Sequence, residues 1–151
     1  MTSDRSRAPL GDAEAAELLT SARKLQLATI NPDGTPHLVT MYFALLNGRI
    51  VFWTYRASQK ARNLARDPRL TVLVESGEQY FDLRGLQITG VARSVEDAAE
   101  VEHIGGLVAA RMGGVPADLV SDYVRQAARK RIAYVVEPGR VVGWDHSVLP
   151  Q

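Results

Sequence analysis

The sequence predicts a small antiparallel β-barrel of about six strands with helices at its margins. Three observations favour this fold class. Short runs of β-branched, aromatic and aliphatic residues recur through the first 95 residues, and turn dipeptides such as Asn47-Gly48 separate them. Stretches with helical periodicity lie before, between and after those runs. No regular alternation of strand and helix appears, so a doubly wound parallel sheet is disfavoured.

The composition is that of one globular domain. The 151 residues are 46% hydrophobic and 23% charged, which suffices for a core without disulfides or metals. Eighteen basic and seventeen acidic residues leave a net charge of +1, which argues against a nucleic acid or a membrane surface as partner. The absence of cysteine excludes disulfides and thiolate chemistry, and the three histidines lack metal-ligand spacing.

Residues 1–9 are predicted to form a disordered lead, and residues 10–151 a single domain. The lead is polar and lacks the apolar centre of a signal peptide. No apolar run approaches the roughly 20 residues that a membrane-spanning helix needs. We therefore expect a cytoplasmic protein.

The first part of the chain is predicted to contain one helix and three strands. Asp12 can cap a helix over residues 12–22, because its carboxylate can accept from free first-turn amides. The strands are predicted over residues 25–30, 36–43 and 49–55. Asn31-Pro32-Asp33-Gly34 supplies the first turn between them, and Asn47-Gly48 supplies the second, since both of its residues tolerate positive φ.

The rest of the chain continues with a short helix from Ser58. That helix is predicted to end by Asp67, because Pro68 disfavours helical geometry in the residue before it. Gly85 and Gly90 mark bulges or close backbone approaches in a long strand. The remaining predicted elements are strands over residues 70–75, 80–94 and 131–136, helices over residues 96–112 and 116–129, and a short segment through Trp144.

The segment from Ser58 to Asn63 is the sharpest candidate for chemistry. A strand leads there into a helix N-terminus, where free amides and the helix dipole favour an anion. Lys60 and Arg62 place positive charge on the first turn, where each opposes the dipole by roughly 0.3–1 kcal/mol. Cations in this place are better explained if an anion binds. The alternative is a plain Ser58 N-cap beside a solvated basic face, and the local sequence favours neither.

Other features have an ordinary interpretation beside the functional one. The strand over residues 38–43 can lay backbone amides along a flat ring, although a plain barrel strand is simpler. Trp53 and Tyr55 are more typical of a core than of a cofactor stack. Trp144 suits a subunit contact or ligand cover if exposed, and otherwise packs on its own barrel. No hydrolytic triad or phosphate loop is present, so a bound cofactor would supply any reactivity.

In order and spacing these segments resemble the pyridoxamine 5'-phosphate oxidase-like family of flavin- and deazaflavin-binding split β-barrels. The resemblance runs from about Leu25 to Trp144, and it implies a mainly β, six-stranded antiparallel split barrel with flanking helices. Its landmarks are Leu27-Ala28-Thr29, Asp33-Gly34-Thr35-Pro36, Val39-Thr40-Met41, Ser58-x-Lys60-x-x-Asn63, Asp67-Pro68-Arg69, the strand over residues 86–92, and Arg140-Val141-Val142-Gly143-Trp144.

The resemblance also implies a homodimer with a cofactor site at the subunit interface. The helix start would bind the cofactor phosphate, the second strand would flank the ring, and three residues would reach in from the partner. The implied cofactor-binding residues are Leu38, Val39, Thr40, Met41, Thr54, Tyr55, Ser58, Gln59, Lys60, Arg62 and Asn63, with Arg84, Gly85 and Trp144 from the partner. No residue is assigned as catalytic, since Tyr42, Tyr55 or solvent would serve equally as proton donor.

One departure separates this chain from the true pyridoxamine phosphate oxidases. Those enzymes hold the substrate phosphate with an arginine and a histidine in an extended C-terminal segment, whereas only seven residues follow Trp144 here and none is arginine. The helix is more similar to the branch that uses the deazaflavin coenzyme F420, whose oligoglutamate tail suits Arg56 and Arg62. The resemblance implies an F420-dependent oxidoreductase that passes hydride to an enone, quinone or tetrapyrrole. The alternatives are an FMN-dependent oxidase or reductase, and a non-catalytic flavin- or haem-binding carrier.

Overall fold

The computed structural model describes residues 8–150 and contains one seven-stranded antiparallel sheet. Its spatial order is β2-β1-β5-β6-β7-β4-β3. The strands are β1 (Lys24–Ile30), β2 (Pro36–Tyr42), β3 (Ala44–Leu46), β4 (Arg49–Tyr55), β5 (Arg69–Ser76), β6 (Arg84–Val95) and β7 (Arg131–Asp145). The predicted mainly β architecture with flanking helices is confirmed, but the sheet has seven strands and not six.

The seventh strand arises at Phe43, where the sheet closes on itself. β2 and β3 form opposite edges of the sheet, although Phe43 alone separates them in the chain. Two Cα–Cα steps of about 3.8 Å join Tyr42 to Ala44, so the two edges must come together at this point. Phe43 is fully buried there, and its amide donates to the carbonyl of Arg23 at 3.2 Å. The sheet is therefore curled into a split barrel.

The two longest strands pair along nearly their whole length. β7 continues to Asp145, whereas the sequence predicted a strand that stops at residue 136. Pro138-Gly139 is typical of a turn, but here Pro138 pairs with Gly90 and Arg140 pairs with Thr89, so Gly139 is the extra residue of a bulge and the strand continues. A Cβ on Gly90 would lie 2.1 Å from the Glu137 carbonyl oxygen, so this close approach requires glycine. β6 also begins later than predicted, after a 3₁₀ turn at Tyr80–Asp82.

Within residues 8–150, four α-helices flank the sheet. They are α1 (Asp12–Ser21), α2 (Gln59–Arg66), α3 (Ala98–Met112) and α4 (Val120–Ala128). Gly11 is the N-cap of α1, so Asp12 is a first-turn residue and not the predicted cap. The start of the predicted helix over residues 116–129 is a separate 3₁₀ turn at Ala117–Leu119. None of the described helices is long and apolar enough to cross a membrane.

Strand β4 has apolar clusters on both of its faces. Ile50 and Phe52 point into the barrel interior, while Val51 and Trp53 pack against α3 and α4. Its five central residues are all buried, and the strand emerges at Tyr55, which is 53% exposed. The chain therefore leaves the interior just before α2 begins.

The last residues of the predicted disordered lead contact the sheet. Ala8 is buried, and its carbonyl accepts from the amide of Asp145 at 2.8 Å. Pro9 forms an isolated bridge with Trp144. Residues 1–7 of that lead lie outside the described residues.

Candidate functional site

A cleft of about 270 Å³, here called the Lys60 cleft, lies where β2, the end of β4 and the first turn of α2 meet. Its lining residues are Thr40, Met41, Tyr42, Trp53, Thr54, Tyr55, Lys60, Val108, Met112, Tyr123 and Arg131. Five of them belong to the set predicted from the sequence: Thr40, Met41, Thr54, Tyr55 and Lys60. The structure thus brings together residues from three separate predicted elements.

Ser58 caps α2 and also faces the end of β4. Its Oγ accepts from the amide of Ala61 at 3.2 Å and lies 3.3 Å from Thr54 Oγ1. This cap satisfies the third amide of the helix, so the N–H groups of Gln59 and Lys60 are left as the first-turn donors. The N-cap interpretation of Ser58 is confirmed, and it leaves two amides for an anion.

Lys60 carries a positive charge that no described residue neutralises. Its side chain is half-buried, and this burial lowers the pKa of the ammonium from its ordinary value. No carboxylate lines the cleft, and among residues 8–150 no ion pair to Lys60 is formed. The charge also lies at the positive end of the α2 dipole, which makes it unfavourable until an anion is present.

Strand β2 presents a free edge beside this charge. It pairs with β1 on one side only, so alternate backbone groups face outward along the other side. The side chains alternate in burial as predicted: Val39 and Met41 pack on the barrel core, while Leu38 and Thr40 are exposed. Leu38 is 66% exposed beside this edge.

Arg131 forms a wall of the cleft that the sequence analysis missed. Its guanidinium stacks over the ring of Tyr55 at 4.1 Å and over that of Trp53 at 4.9 Å. It also donates to the carbonyl of Ala127 at 3.0 Å. The stack forms because Arg131 is directly opposite Tyr55 in the β4–β7 register, a pairing that no local pattern indicates.

Asn63 lies away from the cleft, in the interior. Its amide nitrogen donates to Thr29 Oγ1 and to Asn31 Oδ1, both at 3.0 Å, and its oxygen accepts from Gln59 Nε2 at 2.8 Å. Asn63 is fully buried. It therefore fastens α2 to β1 and orients Gln59, although the resemblance implied a contact with the cofactor.

Arg62 projects from the opposite side of α2 to Lys60. Side chains two positions apart in an α-helix, such as Lys60 and Arg62, are separated by about 200° around its axis. Arg62 lines a separate cavity, together with Arg56, whose guanidinium is paired with Glu96 at 3.2 Å. The predicted basic cluster is thus divided, and Lys60 is its member in the cleft.

Arg84, Gly85 and Trp144 lie at the far end of β6. Val95, at the other end of β6, is eleven residues after Arg84, a distance of up to about 36 Å along a strand. Trp144 is 5% exposed and packs on its own sheet, because its indole covers Gly85 in the adjacent strand. Arg84 Nε lies 3.3 Å from Asp145 Oδ2. Within one chain these residues do not join the Lys60 cleft, and Trp144 does not project outward.

The described part of the chain contains no group of three or more histidine, aspartate or glutamate side chains arranged to hold a metal. The residues that come together at the cleft are cationic, hydroxylic and aromatic. Such a set suits an anionic organic molecule with a flat ring.

A curled antiparallel sheet with flanking helices and a cationic cleft at a helix start defines a class, the split-barrel proteins. The chain belongs to the pyridoxamine 5'-phosphate oxidase family, whose sequence profile matches residues 12–145. It is similar to the conserved hypothetical protein Rv2991 from Mycobacterium tuberculosis, with 39% identity and a TM-score of 0.89 over 99% of this chain and 95% of that one.

Two other solved structures are more distant. A protein described as an F420 reductase shares 26% identity, with a TM-score of 0.64 over 83% of this chain and 93% of that one. HutZ, a haem storage protein from Vibrio cholerae, shares 21% identity, with a TM-score of 0.71 over 92% and 99% of the two chains, and indicates the fold alone. The comparison with curated proteins gives no match.

Proposed function

We propose that the protein is an oxidoreductase that binds a flavin-type cofactor, coenzyme F420, in the Lys60 cleft. The observation that carries this proposal is the half-buried Lys60 ammonium without a carboxylate partner at the positive end of α2. Burying an unpaired charge is costly. A cofactor phosphate would remove that cost and would meet the helix dipole with the favourable sign.

The residues of the cleft fit such a phosphate. Lys60 supplies the charge, the amides of Gln59 and Lys60 supply directed donors, and the hydroxyls of Thr54 and Ser58 lie beside them. Hydrogen bonds to an ionised group are among the stronger ones in proteins. Arg62 and Asn63 have other roles in the described contacts, so we leave them out of the phosphate site.

The ring of the cofactor would lie along the free edge of β2. Outward backbone groups between Leu38 and Met41 would meet the polar rim of the ring, and the Arg131–Tyr55 stack would close one side. When bound in its reduced form, the cofactor would supply a hydride. The protein would orient the ring, and apolar side chains of the cleft such as Met112 would exclude water from it.

The substrate would be an electrophilic organic molecule such as an enone, a quinone or a tetrapyrrole. We assign no catalytic residue. Tyr42 and Tyr55 both line the cleft and are both exposed, so either side chain or the solvent would serve as proton donor. The likeness to a protein described as an F420 reductase supports the deazaflavin over FMN. The likeness to a haem storage protein is the reason to test for a carrier without turnover.

We also propose a cytoplasmic homodimer in which each cleft is completed by the partner. Leu38 and Tyr55 leave apolar surface beside the cleft, 66% and 53% exposed in the single chain. Arg84 of a second copy would reach this surface, and the packing of Trp144 on Gly85 would hold its strand end in place. Analytical ultracentrifugation that finds only monomers at micromolar concentration would remove this part of the proposal.

The proposal is tested by titrating F420 and FMN separately into the purified protein. F420 is expected to bind at least about tenfold more tightly than FMN. Lys60→Ala should weaken F420 binding by about 10- to 150-fold, the equivalent of the 1.5–3 kcal/mol of a charge-assisted contact. Arg62→Ala removes a charge from the other side of the same helix and should change the affinity by about twofold or less.

Each alternative has its own outcome in that experiment. Tight FMN binding without F420 binding would show that the cofactor is FMN and would leave the Lys60 cleft as its proposed site. Unchanged affinity in a folded Lys60→Ala variant would place the phosphate elsewhere. Tight binding without oxidation of the reduced cofactor by any of a panel of enones and quinones would indicate a carrier.

A further inference from the structure

A second cavity of about 440 Å³, here called the Tyr134 cavity, lies on the other side of α2. It opens between that helix and the ends of β6 and β7. Its apolar wall includes Leu64, Pro68 and Ile132, and its polar groups include Arg62, Ser94 and Tyr134. It shares no lining residue with the Lys60 cleft.

Tyr134 brings an unpartnered hydroxyl into this cavity. Its side chain is 3% exposed, and its ring stacks on Phe52 with the centroids 5.2 Å apart. Among the described residues, no hydrogen bond to the phenolic oxygen is formed. Burial, and after it the negative charge of Glu96, raise the pKa of Tyr134 to about 12, so the hydroxyl keeps its proton and is a donor near neutral pH. The hydroxyl is reached from the cavity, where it is free to donate to an acceptor bound there.

The charge of the cavity is positive by one unit. The guanidinium of Arg56 is paired with Glu96 at 3.2 Å, and these two charges cancel. Arg62 contacts the neutral amide oxygen of Gln59 at 2.8 Å. Its charge therefore stays unneutralised in the cavity that Tyr134 and the apolar wall also line.

We propose that the Tyr134 cavity is a second ligand site, which takes a small organic monoanion with an apolar body. The carboxylate of such a ligand accepts from Tyr134 and pairs with Arg62, while its body lies against Leu64 and Ile132. The site is separate from the cofactor site, because Lys60 and Arg62 project from opposite sides of α2. An aromatic or branched aliphatic carboxylic acid matches this chemistry in charge and in size.

The experiment is a calorimetric titration of the purified protein with 2-naphthoate and, separately, with the neutral 2-naphthamide. The acid is expected to bind at least about tenfold more tightly than the amide, since only the acid is an anion. Tyr134→Phe keeps the ring on Phe52 and removes only the donor, so it should weaken naphthoate binding about fivefold. Arg62→Gln should weaken it about tenfold or more.

Two controls separate this site from the cofactor site and from a structural role. Lys60→Ala should leave naphthoate affinity within about twofold, although it weakens cofactor binding. Tyr134→Phe should retain the melting temperature of the wild type within about 2 °C, because no hydrogen bond within the protein is lost. The proposal is overturned if acid and amide bind alike, if neither variant changes the naphthoate affinity, or if Tyr134→Phe lowers the melting temperature by more than about 5 °C.

Discussion

The corner around Lys60 and the sheet end around Trp144 both carry sequence landmarks of the family, but they differ in how their side chains are satisfied. At the sheet end, the indole of Trp144 fills the space above Gly85, and Arg84 is paired with Asp145. At the corner, the ammonium of Lys60 has no anionic partner among the described residues. The first region contributes to stability, whereas the second has charge and donors left for a ligand. Contacts within the chain, and not the landmarks themselves, separate the two roles.

The largest effect on stability is expected from Gly85→Ala, at the sheet end around Trp144. A Cβ there would lie 2.1 Å from the Trp144 ring, so the indole or the strand must move. Overpacking of this kind costs about 3 kcal/mol in free energy of unfolding, which urea denaturation would measure. The matched control is Gly106→Ala in α3, where the new Cβ meets no atom within 4 Å, and which should be neutral or stabilising by up to about 1 kcal/mol. Equal effects of the two variants would contradict the close packing of Trp144 on Gly85.

Asn63→Leu should have the next largest effect, and on stability more than on binding. The variant leaves Thr29 and Asn31 without their donor at the buried contact between α2 and β1. We expect a loss of about 2–3 kcal/mol in free energy of unfolding, since unsatisfied buried groups cost more than a hydrogen bond contributes. Gln59→Ala removes the outer contact to Asn63 and an exposed contact to Arg62, but leaves no buried group without its donor, so it should cost less than about 1 kcal/mol. A stable Asn63→Leu variant that binds no cofactor would instead indicate that Asn63 contacts the cofactor.

The smallest effect concerns the titration of Lys60. Burial lowers its pKa in the folded protein below the ordinary 10.5, so the unfolded chain binds more protons in the interval between the two values. The free energy of unfolding should therefore rise slightly with pH through that interval, as the buried lysine loses its charge. Anion affinity should fall over the same interval, because the attracting charge disappears.

Lys60→Met is the control for both pH trends. Urea denaturation and phosphate-ester binding, each measured as the pH rises toward 10.5, should show neither trend in this variant. A pH dependence that persists without the lysine would assign the effect to another group.

Much of the fold could be predicted because its signals are local. Asn47 and Gly48 have φ angles of 52° and 77°, as the predicted hairpin turn requires. Period-two alternation in β2 and the cap at Ser58 were also visible in short windows. The break at Phe43 and the continuation of β7 past Pro138 were not, because each depends on pairing with strands that are distant in the chain.

The sequence by itself determined the mainly antiparallel architecture, the helix start at Ser58 and the placing of two cations on its first turns. Only the tertiary structure decided what those residues face. Packing of Ala61 and Leu64 on the barrel sets the rotation of α2 about its axis. That rotation turns Lys60 toward the cleft, Arg62 toward the Tyr134 cavity and Asn63 into the interior. Rotation follows from which apolar surface lies beneath the helix, and residues far along the chain form that surface.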